Sequence, residues 1–118
     1  MVLVDTSVWV DHFRRGNPQL EGLLEAAAVV CHPFIVGELA CGSLKNRAEI
    51  LALLSALPQT PLVEHHEALT FIDAERLYSR GLGWIDIHLL ASARLAACRL
   101  WSLDKALQSA AASSDLAP

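Results

Sequence analysis

The chain has 118 residues, 53% of them hydrophobic, which suits a single domain over residues 1–118 and leaves no room for a second. Its net charge of −4 excludes nucleic-acid binding driven by bulk positive charge. It leaves open a metal-centred site that inverts the field locally.

With a mean hydropathy of +0.37, the apolar surface remaining after a core is built predicts a subunit or partner interface. Cys31, Cys41 and Cys98 are odd in number, scattered and without a CxxC pair. They read as reduced thiols buried as small core hydrophobes, in a cytoplasmic chain. The N-terminus lacks the basic region of a signal peptide. No uninterrupted apolar run approaches the ~18 residues of a membrane span.

Val2–Val4 is a short apolar run ending in Asp5-Thr6-Ser7, and a helical pattern follows to Arg15-Gly16. Strand, polar turn and helix open an α/β unit. Asn17-Pro18 breaks the chain, and Leu20, Leu23, Leu24 and Ala27 mark a short amphipathic helix. Val29–Cys31 reads as a second strand, and Pro33 begins a helix that stops at Gly42. Asn46–Leu57 is helical, closed by Pro58 and Pro61, and Leu62-Val63 reads as a third strand. Glu67–Arg80 forms a charged amphipathic helix, and Ile85–Cys98 a central one, apolar on nearly every side. Leu100–Leu103 is a last strand, followed by Asp104 and a helical turn or two, with a loosely structured tail over Ala110–Pro118. Alternation with short joins predicts an α/β fold, a small parallel sheet with helices on both faces.

Most of the 13 acidic residues lie in polar stretches or on solvated helix faces. Four do not. Asp5 ends a strand and Asp104 follows one, where either could cap a helix. Ligands, however, bind at the carboxyl ends of strands in open α/β sheets. Asp86 opens the apolar helix, where a first-turn carboxylate is also stabilised by the helix dipole. Glu38 shares a stripe with Ile35, Leu39 and Gly42, and no basic residue lies within a turn of it. A carboxylate there is costly unless paired or bound to a metal. Were the four to converge, two carboxylates ~4 Å apart would repel by about 4 kcal/mol at an effective dielectric near 20. Hard carboxylate oxygens suit Mg²⁺ or Mn²⁺, which would relieve that repulsion. No HExxH, paired Cys/His set or GxxxxGK[ST] offers competing chemistry.

Val2–Trp9, Glu38-Leu39-Ala40-Cys41-Gly42, Gly83–Ala91 and Leu100–Asp104 together resemble the four acidic motifs of PIN domains, the VapC-type toxins most closely. The resemblance covers nearly the whole chain. It implies a three-layer α/β/α fold and metal-dependent RNA cleavage, with Asp5, Glu38, Asp86 and Asp104 as the catalytic and metal-binding acids. Thr6, Ser7 and Ser102 would support them; Ser102 stands where the family more commonly has Thr. Family members usually form homodimers and are inhibited by an antitoxin that packs over the active-site groove.

Arg14, Arg15, Lys45, Arg47 and Lys105 are candidate RNA contacts, each also readable as solvated charge. The five histidines take no part in this scheme: His65-His66 reads as surface, and His88 points away from Asp86. Trp9, Trp84 and Trp101 lie in apolar stretches and are expected in the core rather than stacked on bases. A haloacid-dehalogenase-like phosphatase would need a second Asp in the Asp5-Thr6-Ser7 turn, and a receiver domain would need adjacent acids at the first strand. The remaining alternative is a non-catalytic PIN-like binding module.

Overall fold

The computed structural model describes residues 1–118. In chain order the elements are β1 (Val2–Val4), α1 (Thr6–Arg15), α2 (Pro18–Glu25), β2 (Val29–Val30), α3 (Pro33–Ala40) and α4 (Arg47–Ala56). They continue with α5 (His65–Glu75), α6 (Trp84–Ala96), β3 (Arg99–Trp101) and α7 (Lys105–Ser113). The three strands form one parallel sheet in the order β2-β1-β3, flanked by helices as an α/β/α sandwich. Because every strand runs the same way, the residues after β1 and β3 emerge at the same sheet edge. None of the helices is long and apolar enough to cross a membrane.

Local chemistry sets the boundaries. Pro18 and Pro33 occupy the first turns of α2 and α3, where a missing N–H costs nothing. Asn17 caps α2 through a 3.0 Å bond from Leu20 N–H. β1 is wholly apolar, as a central strand covered on both faces requires, and Leu3 and Val4 are fully buried. Seven consecutive residues of α6, Ile87–Ala93, are buried, so this helix is central as its composition predicts.

Four expectations are corrected here, and a fifth concerns the tail. Leu62-Val63 is not a strand, and Leu62 is exposed. The only pairing in that region is a single bridge from Cys31 to Gln59, and Pro58 and Pro61 on either side have no N–H to extend it. The helix expected to reach Arg80 stops at Glu75: Arg76 turns left-handed and Leu77 N–H bonds back to the Ile72 carbonyl, which seats Leu77 in the core. Cys41 is exposed, unlike Cys31 and Cys98. Trp84 is 40% exposed, whereas Trp9 and Trp101 are buried as expected.

The tail departs furthest from its expected looseness. α7 runs to Ser113, Ala110 and Ala111 are fully buried, and Leu116 is 5% exposed. The Leu116 carbonyl accepts the Leu100 N–H at 2.8 Å, so the tail supplies the outer hydrogen bond of β3.

His32 has no role predicted from sequence, yet it is fully buried and organises α3. Its Nδ1 accepts the Phe34 N–H at 2.9 Å, capping the helix, which leaves Nε2 as the protonated nitrogen facing Ser92 Oγ at 3.1 Å on α6. Burial holds the imidazole pKa down at about 4, with the nearby His88 adding to the effect. Protonating Nδ1 would destroy the cap.

Two outcomes follow for stability. Leu116→Ala should destabilise the fold by about 2–4 kcal/mol in denaturant titration; a neutral result would mean the tail is not part of the core. A histidine with its pKa depressed from 6.5 to about 4 contributes its full stability above pH 6.5 and loses it as the pH falls to about 4. His32→Asn keeps a capping oxygen without that titration. Between pH 7 and 4 the native chain should therefore lose about 3 kcal/mol more than the variant. Parallel stability–pH curves would show that His32 does not titrate in this way.

Candidate active site

Asp5 leaves β1 as the N-cap of α1 and is 7% exposed. Its Oδ2 accepts the Ser7 hydroxyl at 2.7 Å, the Ser102 hydroxyl at 2.7 Å and, more weakly, the Ser7 N–H at 3.4 Å. Each serine has one hydroxyl proton and both are directed at Asp5, so the 3.2 Å approach of the two hydroxyls is a contact rather than a further bond. The serine oxygens in turn accept backbone N–H groups, Ser7 from Leu103 at 2.9 Å and Ser102 from Asp104 at 3.0 Å. Gln108 on α7 accepts the Ser102 N–H at 2.8 Å. Strand β1, strand β3 and the starts of α1 and α7 are thereby tied to one carboxylate oxygen, and no hydrogen bond falls on the other.

Glu38 sits late in α3, between the buried Ile35 and Leu39. Its Oε1 accepts the Thr6 hydroxyl at 2.8 Å. The residue as a whole is open to solvent, yet its carboxylate lies in the field of its acidic neighbours. Partial burial pushes its pKa above the ordinary glutamate range, the Thr6 bond opposes this, and the charges of Asp5 and Asp86 add to the rise. Asp86, in the first turn of α6, accepts the Gly83 N–H on Oδ2 at 2.9 Å. Its pKa is likewise raised, first by burial and then by Asp5 and Asp104, against the pull of the Gly83 bond. Asp104 caps α7, its Oδ2 accepting the Leu107 N–H at 2.9 Å.

The capping roles weighed from sequence for Asp5 and Asp104 are therefore filled, and they do not exhaust either group. In each of the four acids one oxygen is held by a local donor and the other carries no hydrogen bond. None of the four has an ion-pair partner; the cations that pair do so with Asp11, Glu64, Glu75 and Asp115. The acids share one electrostatic field without closing a three-ligand cage. This donor set, hard anionic oxygens with free lone pairs and uncompensated mutual repulsion, fits a hard divalent cation.

Thr6, Ser7 and Ser102 each touch one of the acids. The basic candidates separate. Arg15 pairs with Asp11 at 2.6 Å, and Arg47 donates to the Ala40 carbonyl at 2.8 Å. Arg14 and Lys45 line a groove that begins at Thr6 and Glu38. His88 is buried between Phe34 and Trp84, with Nδ1 unpartnered. Two polar groups with no predicted role support the site from behind. Gln108 holds the Ser102 backbone and His32 holds α3. The place of His32, just before a helix-opening proline, is the sequence signal for such a cap.

A family model for the PIN domain matches residues 2–113. The chain is 46% identical, over 118 residues, to the ribonuclease VapC32 of Mycobacterium tuberculosis strain CDC 1551 / Oshkosh, an alignment covering 99% of this chain and 95% of the relative. The same identity and coverage hold for the ribonuclease VapC32 of strain ATCC 25618 / H37Rv. The four carboxylates thus sit in a sequence related to these proteins from end to end, and the chain belongs to the PIN-domain family.

Proposed function

We propose that this chain is a Mg²⁺- or Mn²⁺-dependent endoribonuclease, a single-domain cytoplasmic protein acting as the toxin of a toxin–antitoxin pair. The observation that carries the reading is the set of four acids without a cationic partner, each with one oxygen anchored and one free. Near-full-length similarity to proteins named ribonucleases supports the same chemistry.

Asp5 and Asp86 would be direct ligands of the cation, and Glu38 and Asp104 ligands or acceptors that orient water. When bound, such a cation supplies charge neutralisation at the phosphodiester and a more acidic attacking water. The chain's own residues do the positioning. Ser7 and Ser102 fix the Asp5 carboxylate plane, so its free oxygen keeps one direction. Thr6 does the same for Glu38, and the Gly83 and Leu107 N–H groups for Asp86 and Asp104. Preorganisation of this kind removes the reorganisation that flexible acids would need at each turnover.

A homodimer and an antitoxin would cover apolar surface that the monomer leaves open. Leu53, Leu62, Tyr78 and Leu95 are each more than half exposed.

The direct test is incubation of a mixed pool of tRNA and rRNA with antitoxin-free protein, with Mg²⁺ or Mn²⁺ and with EDTA, alongside Asp5→Asn. Cutting should require the cation and vanish in the variant. Folded protein that binds the cation and cuts no RNA, including in a wider substrate screen, would instead point to a non-catalytic binding module. Ser102→Ala should leave the fold intact and lower cation-dependent cleavage roughly 10–100-fold, the usual effect of loosening a ligand's support. Unchanged cleavage would assign Ser102 a purely structural part.

A further inference from the structure

The groove at the site's edge has a volume of about 560 Å³ and an asymmetric lining. One end is Thr6 and Glu38, bonded to each other. Its lining includes apolar side chains of α1, α3, the α3–α4 loop and α4, with Phe13 and Leu44 half-buried. Arg14 and Lys45 also line it, and both are exposed without an ion-pair partner, in a chain with a net charge of −4. Their neighbours in sequence differ. Arg15 is paired with Asp11, outside the groove, and Arg47 is tied to a backbone carbonyl. Asn46, also in the lining, adopts φ +53°, a left-handed conformation that asparagine tolerates better than most residues. The chain turns there, between α3 and α4, right after Lys45.

We propose that this groove carries the RNA strand away from the site, and that Arg14 and Lys45 hold a backbone phosphate beyond the scissile one. The inference rests on the ribonuclease reading above. At 1.5 Å per residue, the eight residues from Thr6 to Arg14 place the arginine about 12 Å along α1 from the acids. A strand bound at the acids and lying in the groove therefore meets uncompensated positive charge next, and the apolar side chains of the lining suit the faces of its bases. An acidic protein segment would meet the same charges. Continuity of the groove with Thr6 and Glu38 favours the strand that has to reach the site. Arg14 and Lys45 touch no reacting atom in this arrangement, so they are positioning residues.

The test is steady-state cleavage, across a salt series, of whichever RNA in the pool the intact protein cuts. Arg14→Ala/Lys45→Ala would be compared with Arg15→Ala, and the folding of each checked by thermal unfolding. The double variant should raise KM on the order of 10-fold with kcat unchanged. Losing two phosphate contacts to a single strand should also flatten the dependence of log kcat/KM on log salt by about 1.4. Arg15→Ala removes the same charge one residue away and should change neither. If the intact protein cuts RNA and the folded double variant matches it in KM and salt slope, the groove assignment is overturned and the ribonuclease reading stands. An unchanged KM with loss of inhibition by the co-expressed antitoxin would give the groove to the protein partner instead. Failure of the intact protein to cut any RNA would overturn both.

Discussion

Burying the Asp5 carboxylate beside two strand ends, with no cation paired to it, costs several kcal/mol unless its charge is met by hydrogen bonds. The loops after β1 and β3 are built around meeting that cost. Ser7 and Ser102 come from opposite ends of the sequence and donate to the same oxygen, and their own oxygens then order the Leu103 and Asp104 backbone. The direction of Asp104 and the start of α7 therefore depend on a side chain just beyond the central strand. The loops after β1 and β3 are positioned relative to Asp5.

Glu38 reaches the same place by a separate route. It stands on α3, whose first turn is fixed by the buried His32 cap and whose face is held by Ile35 and Leu39. The His32 contact to Ser92 ties α3 to α6, the helix that carries Asp86. Two polar contacts deep in an apolar interior thus set the spacing between acids that themselves lie nearer the surface. Such contacts repay their desolvation only when every partner is present, so they specify one arrangement of the helices rather than many.

The apolar strands, the proline-opened helices and the central α6 are legible in the sequence because each is written as a local pattern. The acids are legible for a related reason, since a carboxylate at a strand end or on an apolar stripe conflicts with its surroundings. What escaped has non-local causes. Leu62-Val63 has the composition of a strand but no partner edge, with Pro61 before it. The alanine-rich tail shows no strong periodicity, and only the open edge of β3 gives Leu116 a place. Trp84 reads as core from its apolar neighbours, yet at the first position of α6 it clears the interior that buries Ile87–Ala93. His32 stands at a local cap position before Pro33, but its burial and its contact to Ser92 depend on α6 packing beside it.

The bond from Ser102 to Asp5 closes a loop of 97 residues. During synthesis the aspartate precedes its serine partner by those 97 residues, and pairing over such a separation is slow to form compared with local structure. A growing chain thus carries Asp5, Glu38 and Asp86 before Ser102 can fix the direction of Asp5, and Asp104 follows only after that serine. A site that needs all four acids held in fixed directions is therefore assembled only once the whole span from Asp5 to Asp104 has been made.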